Sequence, residues 1–260
     1  MSEFIKTETI GSVLKITLNR PDKFNSLNSK MVDQLKAALD KAASDKTIRA
    51  VYLTGEGKAF CAGQDLSDIN MGAVAESIER AVREQYNPLV LKLRVLEKPV
   101  VCAVNGVAAG AGASLALACD IIIASSSVAF VQAFSKIGLV PDCGGTYFLP
   151  RLVGLGKATA LMMLGEKLSA TDAEKMGMIY KVVEDDILHE TAMATAKILA
   201  DMPTKAIGLT KRLLNQSMEN SLNQQLESEA VIQAKAALTN DFKEGVAAFL
   251  GKRKPVFKGE

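Results

Sequence analysis

Val100-Val101-Cys102-Ala103-Val104-Asn105-Gly106-Val107-Ala108-Ala109-Gly110-Ala111-Gly112-Ala113-Ser114-Leu115-Ala116-Leu117-Ala118-Cys119-Asp120-Ile121-Ile122-Ile123-Ala124 is long and apolar enough to cross a bilayer, and its reading decides the fold. Three features argue against a membrane span. Asn105-Gly106 is a turn signal, the middle is crowded with Gly and Ala, and Asp120 stands before a β-branched run. The stretch therefore reads as a buried strand over 100–104, a glycine-rich loop, a buried helix over 112–118 and a second strand over 121–124.

The same alternation extends outward. Upstream, residues 4–8 and 13–18 alternate like paired strands around Gly11-Ser12, and 29–43 places Met31, Leu35, Ala38, Leu39 and Ala42 on one helical face. Residues 50–54 form another short apolar strand, and 75–96 reads as one long, partly amphipathic helix. Downstream of Gly154 the chain turns nearly all helical, over 157–163, 171–176, 186–200, 203–215, 222–238 and 241–250, with 180–183 the one strand there. Strand and helix alternate through the first two thirds, so the class is α/β. No low-complexity linker marks a boundary, and the helical third reads as a smaller subdomain packed on the first or on another subunit.

Composition excludes several classes. At 260 residues and 48% apolar content the chain can bury a large core, and its 31 basic and 29 acidic residues nearly cancel. A general nucleic-acid binder would carry a stronger positive field. Only Lys252-Arg253-Lys254 and Lys258 are locally basic, which reads as a solvated tail or as a contact to a ligand phosphate, in a neighbouring subunit in the second case. Cys61, Cys102, Cys119 and Cys143 are widely spaced without a C-x-x-C pair and read as reduced core thiols. The start, Met1 to Lys6, has no cationic region followed by an apolar run, so a cytoplasmic location is expected.

Chemistry concentrates in three turns. In Leu139-Val140-Pro141-Asp142-Cys143-Gly144-Gly145-Thr146 a carboxylate has apolar residues before it and small ones after it. Asp142 is there either a turn former or helix N-cap, or a proton carrier tuned by its apolar neighbours. Gly110-Ala111-Gly112-Ala113-Ser114-Leu115 opens a helix, where unpaired N–H groups suit an oxyanion; tight helix packing is the plainer reading. It is no dinucleotide fingerprint, because Leu115 stands where a third glycine is needed. The third turn, Ala59-Phe60-Cys61-Ala62-Gly63-Gln64-Asp65-Leu66, also leaves a strand, and two such turns can converge on one carbonyl oxygen.

Taken together, Lys58 to Leu66, Lys98-Pro99-Val100 through Gly112, Cys119-Asp120 and Gly138 to Thr146 resemble the signature blocks of the crotonase, or enoyl-CoA hydratase/isomerase, superfamily, and the resemblance continues to Ala248-Phe249-Leu250-Gly251-Lys252-Arg253. It implies a crotonase-like spiral of β-β-α units over 1–195 and a C-terminal helical trimerisation region over 196–260. It implies a homotrimer or a hexamer built as a dimer of trimers. It further implies an acyl-CoA thioester whose carbonyl lies between the N–H groups of Ala62 and Ala111, with Gly110 in the same turn and Ala62, Gly63, Gln64, Asp65 and Leu66 along the CoA. No metal, redox cofactor, nucleic acid or membrane is implied; CoA belongs to the substrate.

Departures from the family's hydratases indicate the reaction. Those enzymes carry two glutamates that activate and deliver water, and at the matching positions this chain has Ser114 and Phe134. Neither is a general base. A carboxylate stands instead at Asp142, where hydratases have glycine, an exchange that resembles the superfamily's isomerases. Dienoyl-CoA isomerases would add a glutamate at the Phe134 position, and the family's dehalogenases need His and Trp, whereas this chain has no Trp and its sole histidine, His189, sits far downstream and reads as a surface residue. Asn87-Pro88-Leu89-Val90, Ala133-Phe134-Ser135-Lys136 and Pro141 to Thr146 resemble the branch that isomerises ring-epoxide and enoyl CoA thioesters. A hydratase using Asp142 alone and a non-catalytic acyl-CoA-binding scaffold are the alternatives.

Overall fold

The computed structural model describes residues 3–260; Met1 and Ser2, part of the start read above, lie outside them. The chain opens with an antiparallel hairpin, β1 (Ile5–Ile10) and β2 (Val13–Leu18). Helix α1 (Ser29–Ser44) follows. The Asn28 side chain accepts the Met31 N–H at 2.8 Å, capping an orphan donor, and the apolar face found by periodicity is buried.

A repeating unit then begins. β3 (Ala50–Gly55) is followed at once by β4 (Ala59–Cys61), then by α2 (Val74–Arg80), a π-helical turn over Ala81–Tyr86, and α3 (Asn87–Val95). The single long helix expected over 75–96 is thus interrupted. Pro88 has no N–H to give to the carbonyl four residues back and its ring crowds that group, so the turn before it widens. The next units are β5 (Val100–Val104) and β6 (Val107–Ala109) with α4 (Ala111–Leu117), then β7 (Ile121–Ser125) and β8 (Ala129–Val131) with α5 (Gly145–Val153) and α6 (Leu155–Leu164). After β9 (Lys167–Ser169), α7 (Ala170–Lys175) and β10 (Lys181–Val183), the chain ends in α8 (Leu188–Asp201), α9 (Thr204–Ser217), α10 (Leu222–Ala237) and α11 (Asn240–Leu250). The lone strand expected in the last third has a companion in β9, and α5 was concealed by Gly144-Gly145 and by Pro150 inside it.

Strand pairs climb between two sheets. β3, β5 and β7 join a sheet ordered β1-β2-β3-β5-β7-β10, while their partners β4, β6 and β8 join one ordered β4-β6-β8-β9. Each chain turn therefore contributes one strand to each sheet. Asn105 ties successive corners: its Oδ1 accepts the Gly55 N–H at 3.1 Å and its Nδ2 donates to the Gly57 carbonyl at 2.9 Å.

The inner strands β3, β5 and β7 of the larger sheet are covered on both faces, which is why they are apolar runs rather than alternations. Val100, Cys102 and Val104 meet α1, α3 and α4 in one core; Val101 and Ala103 meet Leu188, Ala192, Ala196 and Ala200 of α8 in the other. A boundary after residue 195 would cut α8, whose small residues belong to the sheet; the part that leaves the sheet begins at α9. His189 is on α8, its Nδ1 2.6 Å from the Tyr52 hydroxyl.

Two polar anchors hold the helical third. The Asp120 carboxylate accepts Lys211 Nζ at 2.8 Å, Arg94 Nη1 at 3.2 Å and the Val100 N–H at 2.8 Å, joining α9, α3 and β5. Buried Asp241 accepts the N–H groups of Lys258 at 2.7 Å and Gly259 at 2.8 Å. The basic end is therefore not a free tail, and Arg253 is held by a two-pronged pair with Glu244 at 2.6 and 2.8 Å. No helix among the described residues is long and apolar enough to cross a membrane.

Candidate active site

The two small-residue turns meet, and glycines measure how closely. A Cβ on Gly112 would lie 2.2 Å from the Cys61 carbonyl oxygen, and one on Gly63 would lie 2.9 Å from the Ala109 oxygen and 3.4 Å from the Ala111 nitrogen. Only glycine permits that approach. Gly110 has φ +51° and ψ −126°, a conformation closed to other residues, and this bend points the start of α4 toward the 62–66 loop.

The 62–66 loop is itself fastened from behind. Leu27 N–H donates to the Gly63 carbonyl at 2.7 Å, Asp65 N–H to the Leu27 carbonyl at 2.9 Å, and Ala62 N–H to the Phe24 carbonyl at 3.0 Å. The Ala62 N–H thus already has an acceptor. Asp65 uses its side chain for structure: Arg20 Nη2 donates to it at 2.7 Å and the Ser67 N–H at 3.1 Å. Burial opposes its ionisation, but the hydrogen bonds of Ser67 and Arg20 prevail and its pKa is lowered. Phe24 and Asn25 take left-handed backbone at φ 49° and 55°, and Asn25 secures the bend by donating to the Glu56 and Ala59 carbonyls. None of this bracing was legible in the sequence; Arg20 and Asn25 lack any periodicity that would mark them.

The Asp142 turn closes the site from the α5 side. A Cβ on Gly145 would lie 2.6 Å from Ser114 Oγ and 3.4 Å from Pro141 Cβ, so Ser114 on α4 packs against the turn that bears Asp142. Ser114 is fully buried and its Oγ has no hydrogen-bond partner; Asp142 Oδ1 is enclosed and has none either. Phe134, 6% exposed, sets its ring near Gly110, 3.8 Å from a would-be Cβ. An aromatic ring thus walls the Gly110 turn.

Electrostatics single out Asp142. Burial pushes its pKa up to about 6, against the pull of hydrogen bonds from the Cys143 side chain and its own backbone. Cys143 beside it is buried at φ 50°, its thiol raised by burial first and by the Asp142 charge next. All four cysteines are free and buried, with Cys61 pushed by burial to about 12. The stretch from Met71 to Tyr86 reads from the sequence as a source of pocket walls, and Tyr86 is the member of it that Cys143 and Asp142 act on electrostatically. It ends the π-helical turn, is 3% exposed, and its phenol is raised by burial and by the Cys143 and Asp142 charges. A cleft of about 190 Å³ lined by Leu27, Ser29, Asp68 and Arg80 reaches Tyr86. The signal that marks Tyr86 itself is the π turn's cause, Asn87-Pro88 directly after it.

Two glycine-cornered turns beside one enclosed acid with a pKa close to neutrality are the equipment of an acid–base enzyme. The chain belongs to the enoyl-CoA hydratase/isomerase family, whose model matches residues 8–260. It is 49% identical to the 1,2-epoxyphenylacetyl-CoA isomerase of Escherichia coli, an alignment covering 100% of both chains. It is 36% identical to the trans-2-decenoyl-[acyl-carrier-protein] isomerase of Streptococcus mutans over 96% of each. Among solved structures, an enoyl-CoA hydratase from Polaromonas sp. JS666 superposes with a TM-score of 0.90 at 35% identity, covering 97% of this chain and 99% of that one. The crotonase fold expected from the sequence is thereby established.

Proposed function

We propose that the protein is an isomerase of CoA thioesters in which Asp142 is the acid and base, and the N–H groups of Ala62 and Ala111 hold the thioester oxygen. The observation that carries the reading is the state of Asp142: enclosed, short of a hydrogen-bond partner, and raised to about 6. With a 3-enoyl-CoA, the carboxylate takes a proton from C2. The electron pair spreads over C2 to C4 and onto the thioester oxygen, and the neutral Asp142 returns the proton to C4. One base serves both steps on one face. The Ala62 N–H is divided between the developing oxyanion and the Phe24 carbonyl to which it already donates, so Ala111 is the less encumbered donor; a donor of this kind is worth about 2.7–4 kcal/mol. Gly63, Gln64, Asp65 and Leu66 run along the CoA, and Gly110 shapes the turn.

Likeness to the epoxyphenylacetyl-CoA isomerase extends the proposal to ring-1,2-epoxyphenylacetyl-CoA, with oxepin-CoA as product. The chemistry as written calls for no metal or redox cofactor. Exposed Leu226, Leu238, Phe242, Phe249 and Leu250 on and beside α10 and α11 support assembly of the helical third into a homotrimer or hexamer. Sedimentation of the purified protein decides that.

The test of the reaction is direct. Purified protein should convert a 3-enoyl-CoA to the conjugated 2-enoyl-CoA, read as rising absorbance of the conjugated thioester, while leaving crotonyl-CoA unhydrated. Rapid loss of crotonyl-CoA would instead establish the hydratase reading. Tight acyl-CoA binding without turnover of any enoyl or epoxide substrate would establish the scaffold.

A further inference from the structure

Ser114 presents an unanswered question. It is fully buried, yet its hydroxyl has no hydrogen-bond partner, a costly arrangement unless something else completes it. A serine in a helix often turns its hydroxyl back to the carbonyl four residues earlier, but here the Gly110 carbonyl receives only the Ser114 backbone N–H, at 3.1 Å.

Only Gly145 separates Ser114 Oγ from the turn that carries Asp142, and the Oδ1 of that carboxylate is another enclosed oxygen without a partner. Phe134 walls the neighbouring Gly110 turn with an apolar ring. Ser114 also lies three residues along α4 from Ala111, about 4.5 Å of helical rise.

We propose that the Ser114 hydroxyl is a specificity-determining donor for an oxygen atom carried by the acyl group near its reacting carbons, so that the preferred substrates are oxygen-bearing acyl-CoAs rather than plain hydrocarbon chains. The proposal rests on the reading of this site as an acyl-CoA site and names the class of acyl group it takes. In it the hydroxyl donates to an epoxide or ether oxygen while Asp142 moves the proton, and no bond to Ser114 is made or broken.

The test uses binding, so that it stands apart from whether Asp142 is the base. Dissociation constants of 2-hydroxyphenylacetyl-CoA and phenylacetyl-CoA, measured by calorimetry, give the preference for the oxygenated ligand. Wild type should prefer it about 3- to 10-fold, the worth of one neutral hydrogen bond. Ser114→Ala should abolish that ratio and Ser114→Thr should restore it. No preference in wild type overturns the proposal even where a variant misfolds. Equal weakening of both ligands in Ser114→Ala overturns it as well, since that marks a packing role. A preference kept in Ser114→Ala and lost in Asp142→Asn assigns the reading of the oxygen to Asp142 and also overturns it. Failure of both ligands to bind wild type rejects the acyl-CoA site itself.

Discussion

Asp120 and Asp142 are two half-buried carboxylates supplied by loops of one α/β spiral, and their partners could hardly differ more. Asp120 receives Lys211, Arg94 and the Val100 N–H, so each of its oxygens is answered. Asp142 has one enclosed oxygen with no partner and a pKa raised to about 6. A carboxylate whose oxygens are both met by donors joins elements; one short of donors and buried keeps a proton within reach of neutral pH and can exchange it. Structure and function are thus separated by hydrogen bonds given or withheld.

The contrast is broken most forcibly at Asp142. Asp142→Asn keeps the volume and removes the titrating group, so the 3-enoyl-CoA isomerisation rate should fall by about 10²- to 10⁴-fold, the usual worth of a general acid–base. Near-wild-type turnover by the purified, folded variant would refute the assignment. At Asp120 the loss should appear in stability instead. Asp120→Ala leaves Lys211, 7% exposed, beside Arg94 with no counter-charge, and should destabilise the fold by about 3–5 kcal/mol. Urea unfolding measures this; a change under 1 kcal/mol would mean that Asp120 is not the anchor its contacts describe.

The two aspartates were unequally legible. Asp142 stood out in sequence through the small and apolar residues around it, whereas Asp120 was visible only as a charge before Ile121-Ile122-Ile123, because Lys211 and Arg94 lie 91 and 26 positions away. The same rule holds across the fold. The inner strands of the larger sheet were readable because each holds a run of four or five apolar or β-branched residues. β4, β6, β8 and β9 have three residues each, too few for any period to show, so the second sheet emerged only in three dimensions. Ser114 was notable in sequence as a missing glutamate. Its unpaired hydroxyl became apparent only once Gly145 was seen packed against it.

A smaller effect sharpens the contrast by linking function to stability. The unfolded chain titrates Asp142 near 3.8 and the folded one near 6, so between those values the native state holds a proton that the unfolded state lacks. Stability from this group is therefore fullest below 3.8 and is lost as pH rises through 6. At pH 7 the cost of ionising it in place is at most about 3 kcal/mol. Asp142→Asn should accordingly be more stable than wild type at pH 7, with the gap closing toward pH 4. Equal melting temperatures at both pH values would show that burial does not raise the carboxyl.

The smallest effect lies in the pH profile of the proposed isomerisation. If Asp142 acts as the base in the free enzyme, kcat/KM for a 3-enoyl-CoA should be flat near pH 7.5 and fall tenfold per unit below a midpoint of about 6. Substrate that covers the site removes more water from the carboxylate, so the midpoint in kcat should lie higher than that in kcat/KM. Cys143 provides the internal control. Its side chain hydrogen-bonds the carboxylate and lowers its pKa, so Cys143→Ala should move the kcat/KM midpoint upward by a fraction of a unit. A downward shift would mean that the thiol destabilises the carboxylate, and would remove Cys143 from the account of how Asp142 is held near neutrality.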